Sequence, residues 1–264
     1  MNWRSFFEEH RVLLQDNYPG LTLERFLREA QEIGGDGTEL LKGTPFAYLL
    51  GYAEFAHIKL KVTPDVLIPR IETELLFEKL SNIIKKNPQW KRLIDLGTGP
   101  GTLGLALKHQ HKDLHVTLTD IAPEALKLAQ DNANSLGLAV TTLESDLWQK
   151  ITGLFDVIVS NPPYIPSSLA QKSVHQKTHQ FEPHLALYVD DSQYETFFRR
   201  LFHGVARHIT ADGVFMMEGH EDKMQLCAQW AKEEKLTEVK IEQDLAGRER
   251  FLVAFAPRAP MGTA

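Results

Sequence analysis

The sequence predicts an α/β protein with a mostly parallel seven-stranded sheet, an antiparallel edge strand, helices on both faces and a small helical region in front. Three observations predict it. From residue 75 onward, stretches of helical and strand periodicity alternate; a glycine-rich turn follows the first strand of that series; and residues 1 to about 50 keep helical spacing. With 264 residues, 43% of them hydrophobic, the chain can bury one large core or two modest ones.

In the leading region, Ser5 and Glu8 have the spacing of a capping box, and Phe6, Phe7, His10, Leu13 and Leu14 follow at helical intervals. Thr22 predicts the cap of a second helix running through Phe26 and Ala30 to a Gly34-Gly35 stop. Thr44-Pro45 opens a third, Phe46 to Leu50, with proline at the first helical position. Over residues 53–68 the period shortens to two, at Phe55, Ile58, Leu60, Val62 and Val66, interrupted by a Thr63-Pro64-Asp65 turn. That pattern predicts a β-hairpin linker. The expected division is a small helical domain over 1–52, the linker over 53–74 and the α/β domain over 75–264.

In the α/β part, helices are predicted over 75–86, 102–109, 123–136, 192–208 and 221–234. Strands are predicted over 92–96, 114–119, 140–144, 154–160, 213–218, 237–242 and 250–256. Two consecutive strands at the end predict an antiparallel edge hairpin. Residues 166–190 read as one long irregular segment, and loops of that length are frequently lids.

Charge narrows the function classes. Lys and Arg number 29 against 35 Asp and Glu, a net −6; residues 1–75 hold 8 basic and 12 acidic side chains, and the remainder 21 and 23. Neither part is basic, which disfavours nucleic acid as a partner. No apolar run approaches the ~18 residues of a membrane span, and Glu8 and Glu9 come too early for a signal peptide. A cytoplasmic protein without a membrane partner is expected. No segment calls for an obligate interface, so a monomer is expected. The single cysteine, Cys227, excludes an internal disulfide and a thiolate metal cage.

Leu93-Ile94-Asp95-Leu96-Gly97-Thr98-Gly99-Pro100-Gly101-Thr102-Leu103-Gly104 places glycines between the first sheet strand and its helix. There the backbone can turn tightly against a ligand. The run contains GxGxxG, which suits a dinucleotide, but Asp95 stands where a pyrophosphate would pass and suits a cationic ligand instead. S-adenosylmethionine has a sulfonium, an amine and no phosphate. Asp120, ending the second strand, can accept both ribose hydroxyls of this cofactor or of NAD. Ser145-Asp146-Leu147 can offer an acceptor and an apolar wall to the adenine.

Phe155 to Ser160 predicts an apolar strand that ends in Asn161-Pro162-Pro163-Tyr164. The prolines stiffen the loop and leave carbonyl acceptors. The Asn161 oxygen with the Pro162 carbonyl can accept both N–H groups of an –NH2 substrate. Tyr164 is expected to stack on a planar amide or base and to face the sulfonium.

On these residues the sequence resembles the HemK/PrmC protein-glutamine N5-methyltransferases, which modify class-1 peptide chain release factors. The resemblance runs from Pro45 to Phe255. It includes Tyr48-Leu49-Leu50-Gly51, Val66 to Glu74, Asp95 to Gly99, Asn132-Ala133, Leu136-Gly137-Leu138, Ser160 to Ile165, Glu182-Pro183, Ala186-Leu187 and Asp244 to Arg250. It implies a Rossmann-like class I fold and S-adenosylmethionine as cofactor. It also implies a release factor substrate whose Gly-Gly-Gln glutamine is held by Asn161 to Tyr164. Gly97 to Gly101, Asp120, Leu147 and Asn161 are the implied cofactor contacts, and the 166–190 segment becomes the expected cover for the glutamine-bearing peptide. Pro100, Ile71 and Met217-Glu218-Gly219-His220 depart from the family pattern; Pro100 removes one N–H from the glycine loop. Competing expectations are a ribosomal-protein glutamine methyltransferase, a nucleic-acid N-methyltransferase and an NAD-dependent protein. No metal site is expected: His175 and His179 share i,i+4 spacing but lack an acidic ligand pattern around them. The acidic first part suits a partner with a basic surface.

Overall fold

The structure is a computed structural model that describes residues 2–33, 36–170 and 176–257. Its leading helices are α1 (Trp3–Glu9), α2 (Arg11–Asn17), α3 (Leu23–Ala30), α4 (Thr38–Lys42) and α5 (Phe46–Leu50). They close over a core of their own, formed by Phe7, Leu14, Phe26, Leu40 and Phe46. Asn2, not Ser5, caps α1: its side chain accepts the Ser5 N–H. The chain breaks at His10, which lets Phe7 and Leu14 face the same core from two short helices. Thr22 caps α3 as predicted. The expected Gly34-Gly35 stop lies outside the described residues. Helix α4 is too short to print a period in the sequence. Pro45 stands just ahead of α5 with extended ψ, not inside its first turn.

The linker hairpin pairs β1 (Tyr52–Phe55) with β2 (Ile58–Lys61). It turns on Ala56 and His57, whose φ values of 45° and 66° are the left-handed geometry of a tight hairpin. The Thr63-Pro64-Asp65 turn follows the hairpin, with the Val66 N–H bonded to the Thr63 carbonyl. Helix α6 (Ile71–Lys86) begins four residues earlier than predicted. Glu72 and Glu74 in its first turn favour that start against the helix dipole, and the expected linker boundary at residue 74 falls inside it.

The sheet comprises β3 (Arg92–Leu96), β4 (His115–Asp120), β5 (Thr141–Glu144), β6 (Phe155–Ser160), β9 (Ile209–Glu218), β10 (Thr237–Gln243) and β11 (Glu249–Phe255). Its spatial order is β10-β11-β9-β6-β3-β4-β5. The five strands from β9 to β5 are parallel, and the closing β10–β11 hairpin occupies one edge with β11 antiparallel to β9. Helices α6, α7 (Thr102–Gln110) and α8 (Pro123–Ser135) cover one face through Leu76, Leu80, Leu105 and Ala129. Helices α11 (Tyr194–His208) and α12 (Met224–Glu233) cover the other through Phe198, Phe202 and Trp230. The chain moves outward from β3 to β4 and β5, then returns to β6 on the opposite side of β3. This reversal opens a crevice at the carboxyl ends of β3 and β6.

The described parts of residues 166–190 hold more regular structure than the expected irregular segment. A short β7 (Ile165–Pro166) pairs in parallel with β8 (Tyr188–Val189), and between them lie α9 (Gln176–Phe181) and α10 (His184–Leu187). Residues 171–175, including His175, lie outside the described part. No helix among the described residues is long and apolar enough to cross a membrane.

Candidate active site

A cavity of about 420 Å³ lies at the reversal point. Five aspartates line it, namely Asp65, Asp95, Asp120, Asp146 and Asp190; Arg70 is the one basic side chain in its wall among the described residues. Arg70 is itself held by the Glu182 carboxylate. An acidic wall with its one cation neutralised disfavours a pyrophosphate and favours a ligand bearing positive charge.

The glycine loop forms one side. Asp95, on β3, is buried, and its Oδ2 accepts the Thr98 hydroxyl at 2.7 Å and the Gly104 N–H at 2.8 Å. Burial pushes its carboxyl up to about 6. Gly104 allows this approach: a Cβ there would lie 2.2 Å from Leu118 Cδ2 and 3.1 Å from Asp95 Oδ2. Gly99, at φ 55°, donates its N–H to Asp120 Oδ2 at 2.9 Å, and Ala122 N–H reaches Asp120 Oδ1 at 3.0 Å. Burial raises the Asp120 carboxyl, and those backbone donors pull it back down. Gly97, Thr98, Gly99 and Pro100 line the cavity; Gly101 does not, and serves instead as the left-handed residue that starts α7. The Pro100 carbonyl accepts from Asn132 Nδ2 at 2.8 Å, and the same Asn132 side chain bonds both the N–H and the carbonyl of Lys61. One buried amide thus joins the glycine loop to the hairpin.

Asp146 lines the cavity but binds Arg200 at 2.8 Å and Gln149 at 3.0 Å. Leu147 sits beside it at φ 48°, its carbonyl held by the Ser145 hydroxyl. A left-handed leucine is a strained backbone position that its surroundings must hold.

The opposite side is the loop after β6. Asn161, Pro162 and Pro163 line the cavity. Asn161 Nδ2 donates to Thr73 Oγ1 at 3.1 Å, while its Oδ1 is buried with no partner among the described residues. Thr73 donates in turn to Glu218 Oε2 at 2.8 Å, and the Tyr164 hydroxyl donates to Glu218 Oε1 at 2.9 Å. Burial raises the Glu218 carboxyl; the Thr73 and Tyr164 donors and the Arg250 charge oppose the shift. Tyr164 was expected to stack on the substrate and face the sulfonium. It is not part of the cavity wall; its hydroxyl is committed to Glu218, and the nearby cation is the Arg250 guanidinium, 5.8 Å from its ring.

The comparisons with known proteins agree with this geometry. The Methyltransferase small domain model matches residues 71–182. The release factor glutamine methyltransferase of Haemophilus influenzae is 34% identical over 227 residues, covering 81% of this chain and 77% of the relative. That of Leptospira interrogans is 36% identical over 220 residues, covering 81% and 76%. The chain belongs to the release factor glutamine methyltransferase family. Among solved structures, a Pyrococcus furiosus methyltransferase superposes with TM-score 0.53 at 16% identity, covering 74% of this chain and 87% of that one. A T. thermophilus 16S rRNA methyltransferase in complex with AdoMet and guanosine gives 0.56 at 18%, covering 79% and 50%. These two share the fold, that of class I methyltransferases; the curated relatives and the family model make the chain a methyltransferase.

Within this family member, Thr73, Glu182 and Glu218 were legible in the sequence only as parts of matched or departing strings. Glu182 is buried and accepts the Ile68 N–H at 3.0 Å as well as Arg70. It thereby pins the end of the 166–190 segment to the junction before α6. The signal available for Thr73 and Glu218 was a polar residue at an otherwise buried place, one in a helix and one closing an apolar strand. Cys227 is a buried thiol pushed up to about 12 by burial. His179 stacks on His184 with centroids 4.6 Å apart and bonds the Tyr188 hydroxyl. No metal-binding cluster occurs among the described residues.

Proposed function

We propose that the protein transfers a methyl group from S-adenosylmethionine to the side-chain amide nitrogen, N5, of the glutamine in the Gly-Gly-Gln motif of class-1 peptide chain release factors. The observation that carries the reading is the Asn161 carboxamide, whose buried oxygen has no donor among the described residues and lies beside an acidic cavity. An unmatched buried acceptor is costly, and an –NH2 group supplies the missing donor. The chemistry of the wall fits the cofactor: carboxylates for a cationic ligand, no free basic group for a phosphate among the described residues, and Asp120 at the end of β4 for the ribose hydroxyls. Asp95, Gly97, Thr98, Gly99, Asp120, Asp146 and Leu147 would hold it. Gly101 supports their loop from behind.

When bound, S-adenosylmethionine supplies an electrophilic methyl group. The chain's own task is alignment. Asn161 Oδ1 and the Pro162 carbonyl would accept hydrogen bonds from the two amide N–H groups and so orient the nitrogen lone pair; holding reactants in line is worth up to ~7–11 kcal/mol. No basic side chain is required for the attack, because the nitrogen becomes far more acidic once alkylated. Residues 1–52 serve as the recognition domain, supported by their separate core, with 53–70, up to the start of α6, as linker and the segment before β8 covering the bound peptide.

Labelled-methyl transfer to a purified class-1 release factor tests this. Label should enter the intact factor and be lost when the Gly-Gly-Gln glutamine is changed to alanine. Transfer independent of that glutamine, or cofactor titrations in which NAD binds and S-adenosylmethionine does not, would overturn the reading.

A further inference from the structure

We propose that Thr73 and Glu218 are positioning residues for this transfer: they fix the Asn161 carboxamide with its oxygen, rather than its nitrogen, free for the substrate amide. The inference rests on the role given above to Asn161. Its basis is the direction of the hydrogen bonds. A carboxamide end can be oxygen or nitrogen, and only its partners decide which. Thr73 has a single hydroxyl proton. That proton lies toward Glu218 Oε2, 2.8 Å away, so the Thr73 oxygen can only accept from Asn161, 3.1 Å away. Turning the carboxamide over would set two lone pairs against each other in a buried place. The ionised carboxylate at the far end therefore dictates which atom of Asn161 is left unpartnered.

Burial pushes the Glu218 carboxyl up, and the donors and charge around it are what hold its accepting state. Glu218 closes β9 and is almost wholly buried. From the loop after β6, the Tyr164 hydroxyl donates to Oε1; from β11, the Arg250 guanidinium supplies positive charge; from α6 come the Thr73 donor and the opposing charge of Glu72. Arg250 is anchored through its Nη1 to the Gly219 carbonyl at 3.0 Å. Protonation reverses the logic. A neutral Glu218 can donate to Thr73, the Thr73 proton is then free to turn toward Asn161, and the carboxamide can flip to present a donor to a substrate that has only donors to offer. Turnover should therefore fall as pH drops through the titration of Glu218. Thr73 lines the cavity and Glu218 stands behind it; neither bonds the reacting atoms in this scheme, so both act through Asn161.

The test compares Thr73→Val, Thr73→Ser and Glu218→Gln in the full-length protein, with folding checked by thermal melting. It measures kcat at saturating release factor and S-adenosylmethionine across pH, and cofactor affinity by calorimetry. Valine keeps the shape and removes the hydroxyl, and should lower kcat on the order of 10²-fold, the scale of a misplaced reacting group, without changing cofactor affinity. Serine keeps the hydroxyl and should recover most of the loss. Glu218→Gln, which cannot titrate, should lose the acid limb of the wild-type kcat profile. Wild-type turnover in Thr73→Val, serine as impaired as valine, or an acid limb retained in Glu218→Gln would overturn the proposal. Absence of methyl transfer by the wild-type protein would instead overturn the reading of the function.

Discussion

The two walls of the cavity are built on opposite plans. On the glycine-loop wall the chain satisfies its own acceptors: Asp95 takes the Thr98 hydroxyl and the Gly104 N–H, Asp120 takes two backbone N–H groups, and the Pro100 carbonyl takes Asn132. On the Asn161 wall a chain of donors runs from Asn161 through Thr73 to Glu218, and an acceptor is left over at its start. A wall that is internally complete holds its shape with or without a ligand and can bind one as a preformed cradle. A wall with an unmatched buried acceptor is completed by the molecule that reacts there, so its interaction energy is concentrated on orientation.

If this contrast is right, damage to the two walls should separate into different kinetic constants. The largest effect is expected from Asn161→Ala, which removes the open acceptor: kcat should fall on the order of 10²–10³-fold, the scale for deleting one preorganised polar partner, while calorimetry finds the S-adenosylmethionine affinity of wild type. Near-normal kcat would remove Asn161 from the reaction. A smaller and complementary effect is expected from Asp120→Ala. Loss of hydrogen bonds to a charged acceptor should weaken cofactor binding about 10- to 100-fold, with kcat largely retained once the cofactor is saturating. Reduced kcat at saturation would mean that the cradle also sets alignment, and the division between the walls would fail.

The cradle was far more legible in the sequence than the opposite wall, for a physical reason. Asp95, the glycines and Asp120 lie on consecutive strand ends, so a strand-turn-helix pattern is enough to bring them together. Thr73 and Glu218 are 145 residues apart, and Glu218 and Tyr164 54; only the packing of α6 across the end of β9 makes them neighbours. The same distance effect explains Tyr164. Its ring suggested a stacking platform by residue type, but its direction is decided by a carboxylate on another strand. Helix α4, the cap of α1 and the turn of the linker hairpin were missed because each depends on two or three local dihedrals that no periodicity records. The strands of the sheet were predicted to within a residue at each end except β9, which begins four residues earlier at Ile209; the central strands β3 and β6 are buried apolar runs.

The subtlest expected effect concerns a group that belongs to the finished wall and yet carries a cost. Asp95 is pushed from an ordinary value of 3.8 up to about 6 by burial. The folded protein therefore holds the Asp95 proton more tightly than the unfolded chain does. The resulting stabilisation is complete below about 3.8 and is lost as pH rises through 6. Above that pH the fold carries a buried charge, eased by the Thr98 and Gly104 donors and opposed by the charge of Asp120. Asp95→Asn keeps an oxygen for the Thr98 and Gly104 donors and removes the charge. Without cofactor it should be more stable than wild type at pH 8, on the order of 2 kcal/mol, and the gap should close by pH 4; thermal unfolding at the two pH values measures it. The same variant should bind S-adenosylmethionine more weakly at pH 8, since the carboxylate retained at the expense of stability is the one a cationic ligand would meet. A variant destabilised at pH 8 would show that Asp95 is a scaffold acceptor alone, and the acidic character of this wall would then reside in Asp120 and its neighbours.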